Sequence, residues 1–313
     1  MTWDCIVVGG GAAGLSAALV LGRARRRTLL VDDSQQSNLA AHGVGGLLGH
    51  DGQPPAELYR IGRDELARYP SVEVRTGRVI DGDASADRFT ITLDDGEVEA
   101  ARRIVLATGM EYRIPAVEGL AERWGRSVFH CPFCHGWEVR DRALGVLDGD
   151  PVTGVHRALL LTGWSTDVTL FTNGRATLTS DDRALLAVAG VAIEERPVMR
   201  VHGSGDEIAK VVFEDGEERP CGALLVASVM HQRSKLAAQL GVETAPPTPI
   251  AADAISVGPM GETSVPGVFA AGDTGTGMPS VANAIAAGSN AAASVVRSLL
   301  MPTLQETRVR QGP

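Results

Sequence analysis

Val7-Val8-Gly9-Gly10-Gly11-Ala12-Ala13-Gly14-Leu15 closes a short apolar run, Trp3 to Val8, and opens an alanine- and leucine-rich stretch that reaches about Arg25. Beyond it, Thr28-Leu29-Leu30-Val31 reads as a second buried strand ending in Asp32-Asp33. Strand, glycine turn, helix, strand and acid in this order make a βαβ unit suited to a dinucleotide. The glycines serve separate ends. Gly9 permits the tight turn, Gly11 lets the backbone approach a pyrophosphate, and Gly14 lets helix and strand pack closely. The helix start at Ala12 and Ala13 offers free N–H groups and a positive dipole to the phosphates. Asp32, 18 residues past Gly14, is placed to accept hydrogen bonds from an adenosine ribose.

Working outward, 313 residues suffice for two domains and a substantial core. With 44% hydrophobic and 21% charged residues the composition is that of a globular protein. A formal charge of −9 gives nucleic acid no electrostatic footprint. The Arg23-Ala24-Arg25-Arg26-Arg27 run reads as a helix end, where cations suit the dipole. Apolar stretches break well short of the ~20 residues that cross a bilayer, and no basic segment precedes the first of them. A cytoplasmic protein with no membrane partner is expected.

Asp94-Asp95-Gly96 between Arg88–Leu93 and Glu97–Ala101 signals a hairpin. Arg103 to Leu106 reads as a buried strand running into the Ala107-Thr108-Gly109 turn, and Gly267 to Ala271 as another running into Gly272-Asp273. Ser280, after Pro279, is the expected N-cap of a long helix that starts at Val281 and runs to Leu300. A second α/β unit lies between these blocks: strand Ala143–Leu147, helix Val155–Thr162, strand Val168–Phe171. The chain therefore reads as α/β, with two dinucleotide-type domains.

Four cysteines are too few for a disulfide scaffold in a chain of this length. Cys5 and Cys221 sit in apolar segments and read as core residues. Cys131-Pro132-Phe133-Cys134 is a redox or metal motif. Zinc would want two further ligands at matching spacing, and His130 and His135 flank the pair too closely, so no metal is expected.

In this order the blocks resemble the low-molecular-weight thioredoxin reductase family across nearly the whole chain. The matching residues are Gly9-x-Gly11-x-x-Gly14, Ala107-Thr108-Gly109, Cys131-x-x-Cys134 and Gly272-Asp273. The resemblance implies two Rossmann-like, three-layer ββα domains in a homodimer. It places FAD in a discontinuous domain, 1–117 plus 246–313, and NADPH in an inserted domain, 118–245. It also implies that Asp273 bonds the FAD ribityl chain and that the helix start at Ser280 and Val281 faces the flavin pyrimidine edge.

The inserted domain departs from the pattern. Its fingerprint reads Gly149-Asp150-Pro151-Val152-Thr153-Gly154, with a proline where a glycine would admit pyrophosphate and with Asp148 and Asp150 where phosphates should lie. Thr172-Asn173-Gly174 stands where the family holds the 2′-phosphate with a His-Arg-Arg cluster. NADPH is therefore expected to bind poorly or not at all. Cys131-Pro-Phe-Cys134-His135-Gly-Trp-Glu138 resembles the motif of dithiol oxidases that close disulfides in natural products of the gliotoxin, holomycin and romidepsin type. Those enzymes pass electrons from a small dithiol through a cysteine pair and FAD to O2.

The resemblance implies that Cys131 takes the substrate and Cys134 faces the flavin; His135 is the candidate general base and acid. His130 reads as structural or as a pocket wall. Phe133 and Trp137 line an apolar slot or simply pack. His42, Gly43, Gly45, Gly46 and His50 form a loop that either approaches flavin or substrate or is a surface connection. His231 is a weaker candidate for the active site. The competing functions are a reductase fed by ferredoxin or another non-NADPH donor, and a flavin-binding sensor without turnover.

Overall fold

The computed structural model describes residues 2–84, 88–174, 177–275 and 278–311, with 302–311 by backbone alone. The chain folds as two compact units. The first comprises Met1–Ser37, Pro55–Glu111 and Met230–Pro313; the second comprises Asn38–Pro54 and Tyr112–Val229.

In the first unit five parallel strands lie in the order Val268–Ala270, Ile104–Leu106, Cys5–Val8, Thr28–Asp32, Val72–Thr76. Both faces of the first four are covered, which explains why these strands read as apolar runs rather than as alternations, whereas the edge strand Val72–Thr76 is partly exposed and carries Glu73 and Arg75. Cys5, Val7, Leu30 and Val105 point into a layer with Leu15, Ala18 and Leu21 of the helix Ala12–Arg23 and Ala291 and Val295 of the helix Val281–Gln311. Ile6, Val8, Leu29 and Ile104 point the other way, against Ile91 and Leu93. Those two belong to the antiparallel meander Val79–Ala84, Phe89–Leu93, Val98–Ala101. The result is a ββα sandwich in which each fully buried aliphatic contributes roughly 1.5–3 kcal/mol. The hairpin closes at Gly96, whose φ of +89° suits glycine.

The second unit repeats the plan. Its parallel order is Ala192–Glu194, Val168–Phe171, Leu144–Leu147, Ala223–Val226, Val128–Phe129. The helices Pro151–Leu161 and Ser180–Val188 cover one face. The meander Val198–Ser204, Glu207–Phe213, Glu218–Pro220 covers the other.

Two expectations change, the start of one helix and the length of an apolar one. The second unit's helix starts at Pro151 rather than Val155, because Asp150 caps it: its carboxylate accepts from the N–H groups of Val152 and Thr153, both at 2.9 Å. Beside the expected domain bounds at 117 and 245, the compact units divide after Glu111 and Val229, and segment 38–54 belongs to the second unit. Arg126 holds that segment, donating to the Ala40 carbonyl at 3.0 Å and pairing with Asp206, which also lies 3.6 Å from His42. Finally, Val281–Met301 is long and apolar enough to cross a bilayer by length and composition. Its alanines and serines keep hydropathy modest, and its Ala284, Ala291, Ala292, Val295 and Leu299 stripe is buried in the first unit's core.

Candidate active site

The glycine turn follows the strand Cys5–Val8 at the carboxyl edge of the first unit's sheet. The turns after the neighbouring parallel strands lie beside it: Ala107 N–H donates to Val8 and Ala271 N–H donates to Leu106. The three glycines differ in what surrounds them. Gly9 has φ +108°, and a β-carbon there would run into the Ala107 carbonyl. A β-carbon on Gly14 would collide with the Gly9 carbonyl, so helix and strand touch at backbone level. A β-carbon on Gly11 would meet only the Gln36 side chain, at 3.6 Å, leaving that flank of the turn open.

No side chain among the described residues caps the helix Ala12–Arg23: Gly11 is its N-cap and its first turn carries no acid. The leading N–H groups are therefore available to an anion. Asp32, at the end of the next strand, is buried. Its Oδ1 accepts from Gly10 N at 3.1 Å, Ser34 N at 3.0 Å and Gln36 Nε2 at 3.0 Å. Its Oδ2 is less committed, with Gln36 Nε2 at 3.2 Å and Arg63 at 3.8 Å. Gly109 and Gly272 both adopt positive φ, +66° and +81°. Gly272 lies against Ala13, where a β-carbon would come within 2.9 Å of the alanine's own. Asp273 opens a short turn, Asp273–Gly275, that Gln232 ties down through Thr274, its Oε1 accepting from the hydroxyl at 2.9 Å. Ser280 caps the long helix, its Oγ accepting from Asn283 N at 3.1 Å. The open glycine flank, the uncapped helix and the buried acid fit a dinucleotide cofactor. Sequence reasoning pointed to His231, whereas its neighbour Gln232 makes the structural contacts.

The corresponding edge of the second unit is closed by its own side chains. Asp150 occupies the helix start, and Asp148, at the end of the strand Leu144–Leu147, is buried. It accepts from Asp150 N at 3.0 Å and Thr153 Oγ1 at 2.8 Å, and it pairs with Arg157. Acid now holds the donors that a phosphate would need.

The cysteines sit elsewhere in this unit. Cys131 is extended and precedes the one-turn helix Pro132–His135, with Pro132 fixing φ at the first position. Cys134 and His135 donate their N–H groups to the Cys131 carbonyl, both at 3.2 Å. Both cysteines are thiols, and Cys134 Sγ donates to Cys131 Sγ at 2.9 Å. That bond, with the N–H groups of Cys134 and Phe133, outweighs burial and lowers the Cys131 pKa to about 7. Burial instead pushes Cys221 up to about 12 and raises Cys5 further, so both are inert core thiols.

His135 stacks on Phe129, ring centroids 5.7 Å apart, and its Nε2 lies 3.1 Å from the Gly125 carbonyl. A carbonyl only accepts, so Nε2 carries the proton and Nδ1 presents its lone pair. Nδ1 is buried without a hydrogen-bond partner among the described residues. Burial lowers the His135 pKa, partly opposed by the Gly125 carbonyl and Glu138. The ring is thus a neutral base near pH 7. His130 packs against Tyr112 and Trp124, centroids at 4.7 and 5.6 Å. Burial first, then His135 and Arg157, push its pKa down to about 4, so the ring is neutral near pH 7. Phe133 and Trp137 are 68% and 66% exposed, Phe133 edge-on to Trp164 and Trp137 beneath Arg140.

Residues 3–288 match the model of the family described as pyridine nucleotide-disulphide oxidoreductase. The chain is 33% identical to thioredoxin reductase tcpT of Claviceps purpurea over 297 residues, covering 91% of this chain and 90% of the relative. It is 32% identical to thioredoxin reductase sirT of Leptosphaeria maculans, covering 94% and 93%. Among solved structures, HlmI shares 37% identity with a TM-score of 0.91, covering 99% of this chain and 96% of that one. An oxidoreductase from Agrobacterium tumefaciens shares 38% with a TM-score of 0.90, covering 96% and 100%. With its ββα units, open glycine turn and paired thiols, the chain belongs to the pyridine nucleotide-disulphide oxidoreductases, a family of flavin-dependent enzymes.

Proposed function

We propose that the protein is an FAD-dependent dithiol oxidase that closes an intramolecular disulfide in a small dithiol, with O2 as acceptor and H2O2 as the second product. The observation that carries this reading is the contrast between the two helix starts. One is open to a dinucleotide, while Asp150 and the Asp148–Arg157 pair fill the one where a reducing pyridine nucleotide would sit. The resemblance of Cys131–Glu138 to the natural-product dithiol oxidases supports the same direction of electron flow.

In the oxidised pair Cys131 and Cys134 are joined. A substrate thiolate attacks Cys131 Sγ, forming a mixed disulfide and releasing Cys134 as thiolate. The second substrate thiol, deprotonated with His135 as the base, attacks the first substrate sulfur. The product disulfide forms, Cys131 leaves as thiolate, and the two substrate electrons remain on the pair. A thiol with a pKa of about 7 is a good leaving group for that step. The residues to hold FAD are Gly9, Gly11, Ala12, Ala13, Gly14 and Asp32, with Ala107 to Gly109, Gly272, Asp273, Ser280 and Val281. Bound FAD would supply a two-electron acceptor that restores the disulfide and is itself reoxidised by O2.

The test is anaerobic mixing of the flavoprotein with a small dithiol, followed by air. Flavin bleaching and then stoichiometric H2O2 are expected, together with loss of turnover in Cys134→Ser and no bleaching by NADPH. Rapid bleaching by NADPH would overturn the reading, as would reduction by ferredoxin alone with delivery to thioredoxin.

A further inference from the structure

We propose that Gly45 is a positioning residue for the cysteine pair: its bare α-carbon lets segment 38–54 lie directly on the carbonyl of Cys134 and brace the turn that holds both sulfurs. A β-carbon on Gly45 would stand 2.5 Å from the Cys134 carbonyl oxygen and 3.3 Å from its α-carbon. The φ of Gly45 lies outside the left-handed region, so the requirement is for space and not for backbone freedom.

The brace has a second foot. Ala40 of the same segment packs on Gly125, where a β-carbon would fall 3.2 Å from the Ala40 methyl. Gly125 supplies the carbonyl that orients His135. Arg126, next in sequence, clamps the segment through the Ala40 carbonyl at 3.0 Å. Trp164 also packs closely on the turn: a β-carbon on Gly136 would meet its ring at 2.8 Å. The one-turn helix is thus contacted by segment 38–54 at the Cys134 carbonyl and by Trp164 at Gly136. So short a helix has little stability of its own. The packing therefore maintains the sulfur–sulfur and N–H contacts that stabilise the Cys131 thiolate.

The brace is a property of the turn itself. Its importance for turnover rests on the dithiol-exchange reading. The test uses the full-length, reduced flavoprotein and follows alkylation by iodoacetamide against pH, with dithiol turnover measured alongside. The wild-type midpoint is expected near 7. Gly45→Ala is expected to raise it by about one unit and slow alkylation at pH 7 about five-fold, with the flavin spectrum intact. Arg126→Ala, which loosens the segment without adding bulk, should shift it the same way by less. Leu48→Ala, fully exposed in the same segment, should leave it unchanged. A folded Gly45→Ala protein with the wild-type midpoint would overturn the proposal, as would an unshifted Arg126→Ala if Gly45→Ala fails to fold. A shifted midpoint in an enzyme whose wild type oxidises no dithiol would retain the brace and remove the oxidase.

Discussion

The helices Ala12–Arg23 and Pro151–Leu161 occupy equivalent places in two copies of one ββα plan, yet their first turns are opposites. The first begins on a glycine and has no acid; the second begins on Asp150, whose carboxylate takes the N–H groups of Val152 and Thr153. Both sheets are parallel, and both are buried between a helical layer and a meander. The scaffold is therefore common to both units, and the proposed difference in nucleotide binding rests on a few residues at the strand–helix turn that leave donors open or occupy them.

The contrast breaks most severely if the first turn is given the second turn's chemistry. Gly11→Asp should supply a cap to the helix Ala12–Arg23 and set a carboxylate against the cofactor's phosphates. Flavin affinity is expected to fall about 100-fold, equivalent to about 3 kcal/mol, read as flavin lost on gel filtration. Retained flavin would show that the open helix start is not the binding determinant. The converse change is milder. Asp148→Ala takes the carboxylate from a mostly buried Arg157 and one acceptor from the Thr153 hydroxyl, and should destabilise the second unit by about 3 kcal/mol. Urea unfolding followed by tryptophan fluorescence reports it well, since Trp124, Trp137 and Trp164 all belong to that unit. The smallest effect belongs to Asp150→Ala, which removes only an exposed N-cap and should cost about 1 kcal/mol in the same measurement. A larger loss would mean that Asp150 supports more than the helix end.

Much of this was legible in the sequence because the deciding interactions are local. Glycines at 9, 11 and 14 sit close together in the chain, and the buried acid Asp32 follows at the end of the next strand. The unbroken apolar strands announced burial on both faces. Asp150-Pro151 was also readable as an N-cap followed by a first-turn proline, a signal that would have moved the helix start from Val155. The remainder was not readable, because its partners are distant. Arg157 reaches Asp148 only once strand and helix have packed, and Arg126 reaches Ala40 from 86 residues away. No periodicity marks residues 38–54 as part of the second unit, since their neighbours on both sides belong to the first.

That last arrangement bears on how such enzymes can be recombined. A graft that moves residues 112–229 as one cassette would leave behind the stretch 38–54, which packs on the Cys134 carbonyl through Gly45. A hybrid with a relative that is to keep this contact must therefore exchange both pieces together, whereas a library shuffled at the obvious sequence boundary separates them.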